Sequence, residues 1–92
     1  MEFEWDERKA RQNIAKHGVP FEYAVRVFMD ARRIDAEDDR HDYGEERRIT
    51  LGRIEERLYG VAYTVRSKMI RLISARKANP RERRKYIETL PS

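Results

Sequence analysis

Cysteine is absent from this chain of 92 residues, so neither a disulfide framework nor a thiolate metal site is available to it. Glycine is scarce, and its four residues never cluster into a loop that would cradle a phosphate. The two histidines, His17 and His41, lie far apart and do not make a zinc site. No serine sits in a pattern that marks a nucleophile; Ser74 reads as a strand residue. No apolar run approaches the roughly 18 residues of a membrane-spanning helix. The N-terminal MEFEWDERK is charged where a signal peptide would be apolar. Repeats, linkers and low-complexity stretches are missing too. The expectation is one domain over residues 1–92, cytoplasmic, with no membrane contact and no cofactor.

What the chain has in quantity is charge. Asp, Glu, Lys and Arg make up 41% of it, with a net charge of +4. Residues 1–65 hold 12 basic and 15 acidic side chains, whereas residues 66–92 hold 9 basic and 2 acidic. That asymmetry points to a directed basic face, the footprint of a polyanion-binding surface. A solvated, charge-rich surface is the plainer alternative.

The basic segment has a clear local grammar. Met69 to Ile73 is apolar and partly β-branched, which predicts a strand. Asn79 as N-cap, Pro80 at the first helical position and Glu82 three residues after the cap predict a helix opened by a capping box. Arg83, Tyr86, Ile87 and Leu90 recur at helical spacing, giving that helix a face for the sheet. Arg71 alternates with Ile70 and Leu72 and so leaves the core side. Arg76 is expected in the turn that follows.

The front of the chain reads as a short strand, EFEW, then a helix capped by Asp6 and closed by Lys16, His17 and Gly18. Its thin apolar stripe is Ala10, Ile14 and the ring of His17. Phe21, Ala24, Val25 and Phe28 fall at i, i+3, i+4 and i+7, predicting a second short helix. Residues 30–46 carry eight acids and three bases, with a short edge strand near Ile34–Ala36 and then an exposed loop to Gly44. Glu37, Asp38, Asp39, His41 and Asp42 lack the spacing of a calcium loop. A solvated acidic loop accounts for them better than a metal site. Period-two patterns follow at Arg47–Arg53 and at Tyr59, Val61, Tyr63 and Val65. Glu55-Glu56 makes a hairpin turn, and Arg66-Ser67-Lys68 turns into the strand from Met69. The class is α+β: a small antiparallel meander packed with N-terminal helices and a C-terminal helix.

This inventory suits metal-independent RNA cleavage. In that reaction the ribose 2′-OH attacks its own phosphate, which needs a base, cations on the phosphorane and an acid at the leaving oxygen. Arginine suits the cationic role because its planar fork holds two phosphate oxygens. An RNA-binding or DNA-binding module would use the same residues. So would a protein whose basic face receives an acidic partner, and a metal-dependent nuclease on the acidic loop stays open.

Three stretches carry a resemblance: FEWDERKARQNIAKHGVPFEYA, GEERRITLG and YTVRSKMIRLISARKANPRERRKYIE. With FEWD, KHGV and ISARKA in that order, the chain resembles the BrnT family of type II toxin–antitoxin toxins over nearly its whole length. The resemblance implies a RelE-like α+β fold, a sequence-tolerant ribonuclease that shuts down translation, and a bacterial cytoplasmic setting. It also implies a BrnA-like ribbon-helix-helix antitoxin that neutralises the toxin and represses their shared operon, so that operator DNA is met only through the complex. Two positions depart from the family pattern. Pro20 stands where serine is common, and Arg48 where an aromatic residue usually follows the Glu-Arg pair.

The candidate residues follow. Arg71 and Arg76 are the leading phosphate ligands, with Arg47, Arg66 and Lys77 in support and Lys16, Arg81 and Arg84 as RNA contacts. Glu46 and Arg47 match the family's Glu-Arg pair, with Glu46 as base and Arg47 as clamp, or the two simply pair across strands. His17 ends a helix whose dipole favours its protonated form, which would make it the acid. Tyr63 and Tyr86 are further catalytic candidates: Tyr63 lies on the central strand, and RelE-like nucleases can carry a functional tyrosine at the position of Tyr86. The spacing of Tyr86 suits packing better.

Overall fold

A computed structural model of the chain describes residues 1–38 and 46–91. Its elements are β1 (Glu2–Glu4), α1 (Glu7–His17), α2 (Phe21–Ala24) running into a 3-10 helix (Val25–Met29), β2 (Ile34–Glu37), β3 (Arg48–Ile54), β4 (Arg57–Arg66), β5 (Met69–Lys77) and α3 (Pro80–Glu88). The expected acidic loop falls mostly outside the described residues.

The strands form one sheet in the order β1-β5-β4-β3-β2. The antiparallel meander β3-β4-β5 is present as expected, with β2 as an antiparallel edge. β1 adds what the sequence left unplaced, pairing in parallel with β5 from Glu2–Met69 to Glu4–Arg71. The hairpin between β3 and β4 closes through Glu55, and Ser67 and Lys68 close the next one; all three adopt left-handed φ angles without glycine.

Side chains alternate across a strand, and directly paired residues share a face. Tyr59, Val61 and Tyr63 of β4 therefore point one way and Leu58, Gly60, Ala62 and Thr64 the other. The first set meets the N-terminal helices. Phe21, Ala24 and Val27 are fully buried there, together with Val61 and Leu72. Aromatic contacts lock this layer: Phe28 stands edge-on to Tyr63 at 5.1 Å, and Trp5 to Phe21 at 5.9 Å. α3 packs on the opposite face, where Tyr86, Leu58 and Ala78 form a smaller core with Ile34 and Leu90. Helices thus cover both faces of the sheet, rather than the one face the meander was expected to present.

Local chemistry sets the helix ends. The Asp6 carboxylate accepts from the backbone N–H groups of Arg8 and Lys9, and Gly18 closes α1 at φ 72°, donating to Ile14 O. Pro20 precedes α2 in an extended conformation with no side-chain cap, and the segment tightens to 3-10 geometry after one turn. α3 opens on the full capping box: Asn79 Oδ1 accepts from Glu82 N, and Glu82 Oε1 accepts from Asn79 N.

Two apolar residues of the helical stripes fail to reach a core, as does Val65 near the end of β4, which is 56% exposed. Ile14 is 47% exposed and Ile87 59%. The buried positions on α1 are Ala10, as its stripe predicted, and Asn13, one residue from Ile14. Its amide donates to Val19 O (2.9 Å) and Ala75 O (2.8 Å) and accepts from Ala75 N (3.0 Å). β1 pairs only with Met69–Arg71, so Ala75 lies beyond the reach of that strand. Asn13 supplies the missing partner.

Gly52 is required by a close approach. A Cβ there would meet Val27 Cγ1 at 2.6 Å and Val27 O at 2.9 Å. Gly52→Ala is expected to cost about 2 kcal/mol through overpacking, lowering Tm by roughly 8–16 °C in a domain of this size. Thermal unfolding followed by circular dichroism checks it.

Candidate active site

β5 runs to Lys77, four residues beyond its expected end, so Arg76 belongs to the strand and not to the turn. The strand also carries a bulge. Tyr63 pairs with Leu72 and Ala62 with Ser74, which leaves Ile73 as the extra residue. Arg71 and Arg76 are five positions apart and would leave a regular strand on opposite faces. The extra residue cancels that offset. Arg71 pairs with Thr64 and Arg76 with Gly60, so both arginines emerge on one face, the face on which α3 packs.

Each is held by a carboxylate. Arg76 forks onto Glu82, with Nη1 to Oε1 at 2.7 Å and Nη2 to Oε2 at 3.0 Å. The carboxylate that caps α3 thereby fixes the arginine of β5. Arg71 lies 3.6 Å from Glu4, its register partner on β1. These pairs orient the guanidinium groups, and they offset part of the positive charge the sequence assigns to this unit. Arg81 and Arg84 of α3 remain exposed beside them, whereas Lys77, also exposed, pairs with Tyr59 and leaves β5 on the opposite face. Arg66 ends β4 opposite Met69 and is also exposed.

Lys16 is exposed and His17 half-buried at the end of α1. Burial lowers the His17 pKa below its usual value, and the positive charges of Lys16 and Arg76 lower it further. The environment thus opposes the protonated form that the helix dipole was expected to favour. Because the folded state binds this proton less readily than the unfolded chain, the contribution of His17 to stability falls as pH drops below about 6.5. The wild type is expected to lose more Tm between pH 7 and pH 5 than His17→Gln does. Equal losses, measured by parallel melts, would remove His17 from that account.

Glu46 and Arg47 do not pair with each other. Glu46 Oε1 accepts from Arg48 Nη1 at 3.0 Å, while its backbone carbonyl accepts from Thr64 Oγ1 at 2.7 Å. Arg47 is half-buried, and its Nε is buried without a hydrogen-bond partner. Arg48 joins a network the sequence did not reveal. Its Nε donates to Asp35 Oδ1 at 2.6 Å, Arg33 donates to Asp35 Oδ2 at 2.8 Å, and the Tyr63 hydroxyl donates to the same oxygen. Burial, then the Asp35 carboxylate, raises the Tyr63 pKa, and Asp35 raises that of Arg48. This cluster lies on the face that the N-terminal helices cover, opposite Arg71 and Arg76. No sequence spacing marks it, because Asp35, Arg48 and Tyr63 sit on three different strands.

Tyr86 is buried. Its hydroxyl donates to Asp30 Oδ2 at 2.6 Å, and Arg53 lies over its ring at 5.5 Å. Burial followed by Asp30 raises its pKa. The packing role suggested by its spacing is the one observed.

The structure thus assembles Arg71, Arg76, Glu82 and the exposed cations of α3 on one face, with Lys77 on the other and His17 close enough to sense Arg76. Glu46 and Tyr63 belong to a second polar cluster around Arg48 and Asp35. A two-sided α+β domain with two carboxylate-held arginines on one sheet face is the class of protein defined here. A family model described as the ribonuclease toxin BrnT of type II toxin–antitoxin systems matches residues 5–82. The chain belongs to that family, and it is a ribonuclease toxin with an antitoxin partner. No curated protein sequence matches it significantly. Among the described residues, no helix is long and apolar enough to cross a membrane.

Proposed function

We propose that this toxin is a metal-independent endoribonuclease of the bacterial cytoplasm that inhibits translation by cutting RNA. Arg71 and Arg76 hold the scissile phosphate, with Arg47, Arg66 and Lys77 in support and Lys16, Arg81 and Arg84 along the RNA backbone. The observation that carries this reading is the bulge at Ile73, which turns two arginines of opposite parity onto a single face. A bulge that re-aims a side chain is a feature of active sites, and guanidinium groups fixed in advance stabilise developing charge without reorganising.

His17, kept neutral beside Arg76, takes the proton of the ribose 2′-OH. The 2′-oxygen then bonds to phosphorus, the bond from phosphorus to the 5′-oxygen breaks, and solvent reprotonates the departing oxygen. The products are a 2′,3′-cyclic phosphate and a free 5′-hydroxyl. The lowered pKa of His17 supports it as base; Glu46, tied to Arg48, takes no part in this scheme. A BrnA-like ribbon-helix-helix antitoxin neutralises the toxin, and the two repress their operon, the toxin meeting operator DNA only within that complex. Incubating the free protein with purified RNA in excess EDTA tests the chemistry. Cleavage leaving cyclic phosphate ends is expected, and cleavage that requires added magnesium would overturn it.

A further inference from the structure

α3 does not seal the sheet face it packs on. Beyond its small core a groove of about 570 Å³ opens between the helix and strands β2 and β3. Ile34, Ala36, Ile49 and Leu51 form its floor, four aliphatic side chains with no aromatic ring. Arg81, Arg84 and Lys85 stand along the α3 wall. Of the two acids there, Glu82 is committed to Arg76 and Asn79, which leaves Glu88 as the counterweight.

Resting on the toxin–antitoxin reading above, we propose that this groove receives an amphipathic segment of the antitoxin, with apolar side chains on the floor and acidic ones against Arg81, Arg84 and Lys85. An aliphatic floor beneath a basic wall matches such a segment in both hydropathy and charge. RNA is the poorer occupant, because single strands bind on aromatic platforms that stack their bases, and none lies here. A second copy of the chain would bring the same basic wall against this one. The groove also bears on the site: Glu82 lines it while holding Arg76. A segment seated there takes Arg81 and Arg84 from the RNA backbone while leaving Arg71 and Arg76 in place.

Ala36→Glu is the test, since Ala36 is exposed on the edge strand and the substitution leaves the core intact. The probe is the antitoxin encoded beside this chain, with affinity measured by calorimetry and contacts by hydrogen exchange. The variant is expected to bind the antitoxin about tenfold or more weakly, because its carboxylate is buried against an apolar, acidic partner. RNA cleavage by the free toxin stays unchanged, and in the wild-type complex residues 34–36, 49–51 and 81–88 gain protection. Wild-type affinity in Ala36→Glu, or no protection of those segments, would overturn the proposal. So would loss of RNA cleavage by the folded variant, which would assign the groove to RNA, or dissociation of a self-assembled toxin, which would assign it to a second copy. If the wild type itself binds no antitoxin, the toxin–antitoxin reading fails and takes this inference with it.

Discussion

Arg76→Ala is expected to lower RNA cleavage by the free toxin roughly 10²–10³-fold, the loss typical when one preorganised donor to a developing oxyanion is removed. The effect on folding is smaller. Arg76 sits on β5 and its fork ends on Glu82, so the variant strips two charge-assisted bonds from a carboxylate that keeps its capping bond to Asn79. That costs about 1–2 kcal/mol at a half-buried pair. Cleavage should therefore collapse while the circular dichroism spectrum remains native. Arg76→Lys separates charge from geometry. Lysine keeps the charge but cannot fork onto both oxygens of Glu82 or of a phosphate, so most of the loss should persist. Near-wild-type cleavage by Arg76→Lys would mean that the fork contributes little and that any cation suffices.

Asn13→Ala is expected to be strongly destabilising for a polar truncation. The amide of Asn13 satisfies both backbone groups of Ala75 and the carbonyl of Val19 in a buried setting. Alanine leaves all three without that partner, at a cost of about 3 kcal/mol and a fall in Tm of roughly 12–24 °C. Asn13→Asp should be at least as severe, because a carboxylate cannot donate to the two carbonyls and would be buried with its charge. Thermal melts of both variants check this. A Tm for Asn13→Ala within a few degrees of wild type would show that water or a backbone shift takes over the role of the amide.

These two residues also mark the limit of what the sequence discloses. Helix ends were readable because their causes are local. Asp6, Gly18 and the Asn79-Pro80-Glu82 box act on backbone atoms a few residues away, and each was found at its expected place. The meander was readable from period-two patterning and two turns. Asn13, by contrast, bonds to a strand 62 residues away, and nothing in ARQNIAK distinguishes it from a surface polar residue. Helical periodicity nominated Ile14 instead, and Ile87 on α3, because period alone does not say which side of an apolar stripe is covered. The bulge at Ile73 has no glycine or proline to announce it. Without it, strand parity separates Arg71 from Arg76, and the sequence expectation accordingly left Arg76 in a turn. The charge-rich segment was visible as composition, whereas its partial compensation by Glu4 and Glu82 required the fold. His17 shows the same gap: the helix dipole was legible, but burial and the neighbouring Arg76 were not.

The central claim is that Arg71 and Arg76 act on one phosphate, and a double-mutant cycle tests it most directly. Single-turnover cleavage of a short RNA in EDTA would be measured for the wild type, Arg71→Ala, Arg76→Ala and the double variant. Residues that hold the same group act as a unit, so their losses are not additive. Each single variant is expected to lose most of the activity, with the double variant little worse than the poorer single. Cleavage at the wild-type rate by either folded single variant would contradict the account, as would losses that simply multiply in the double variant.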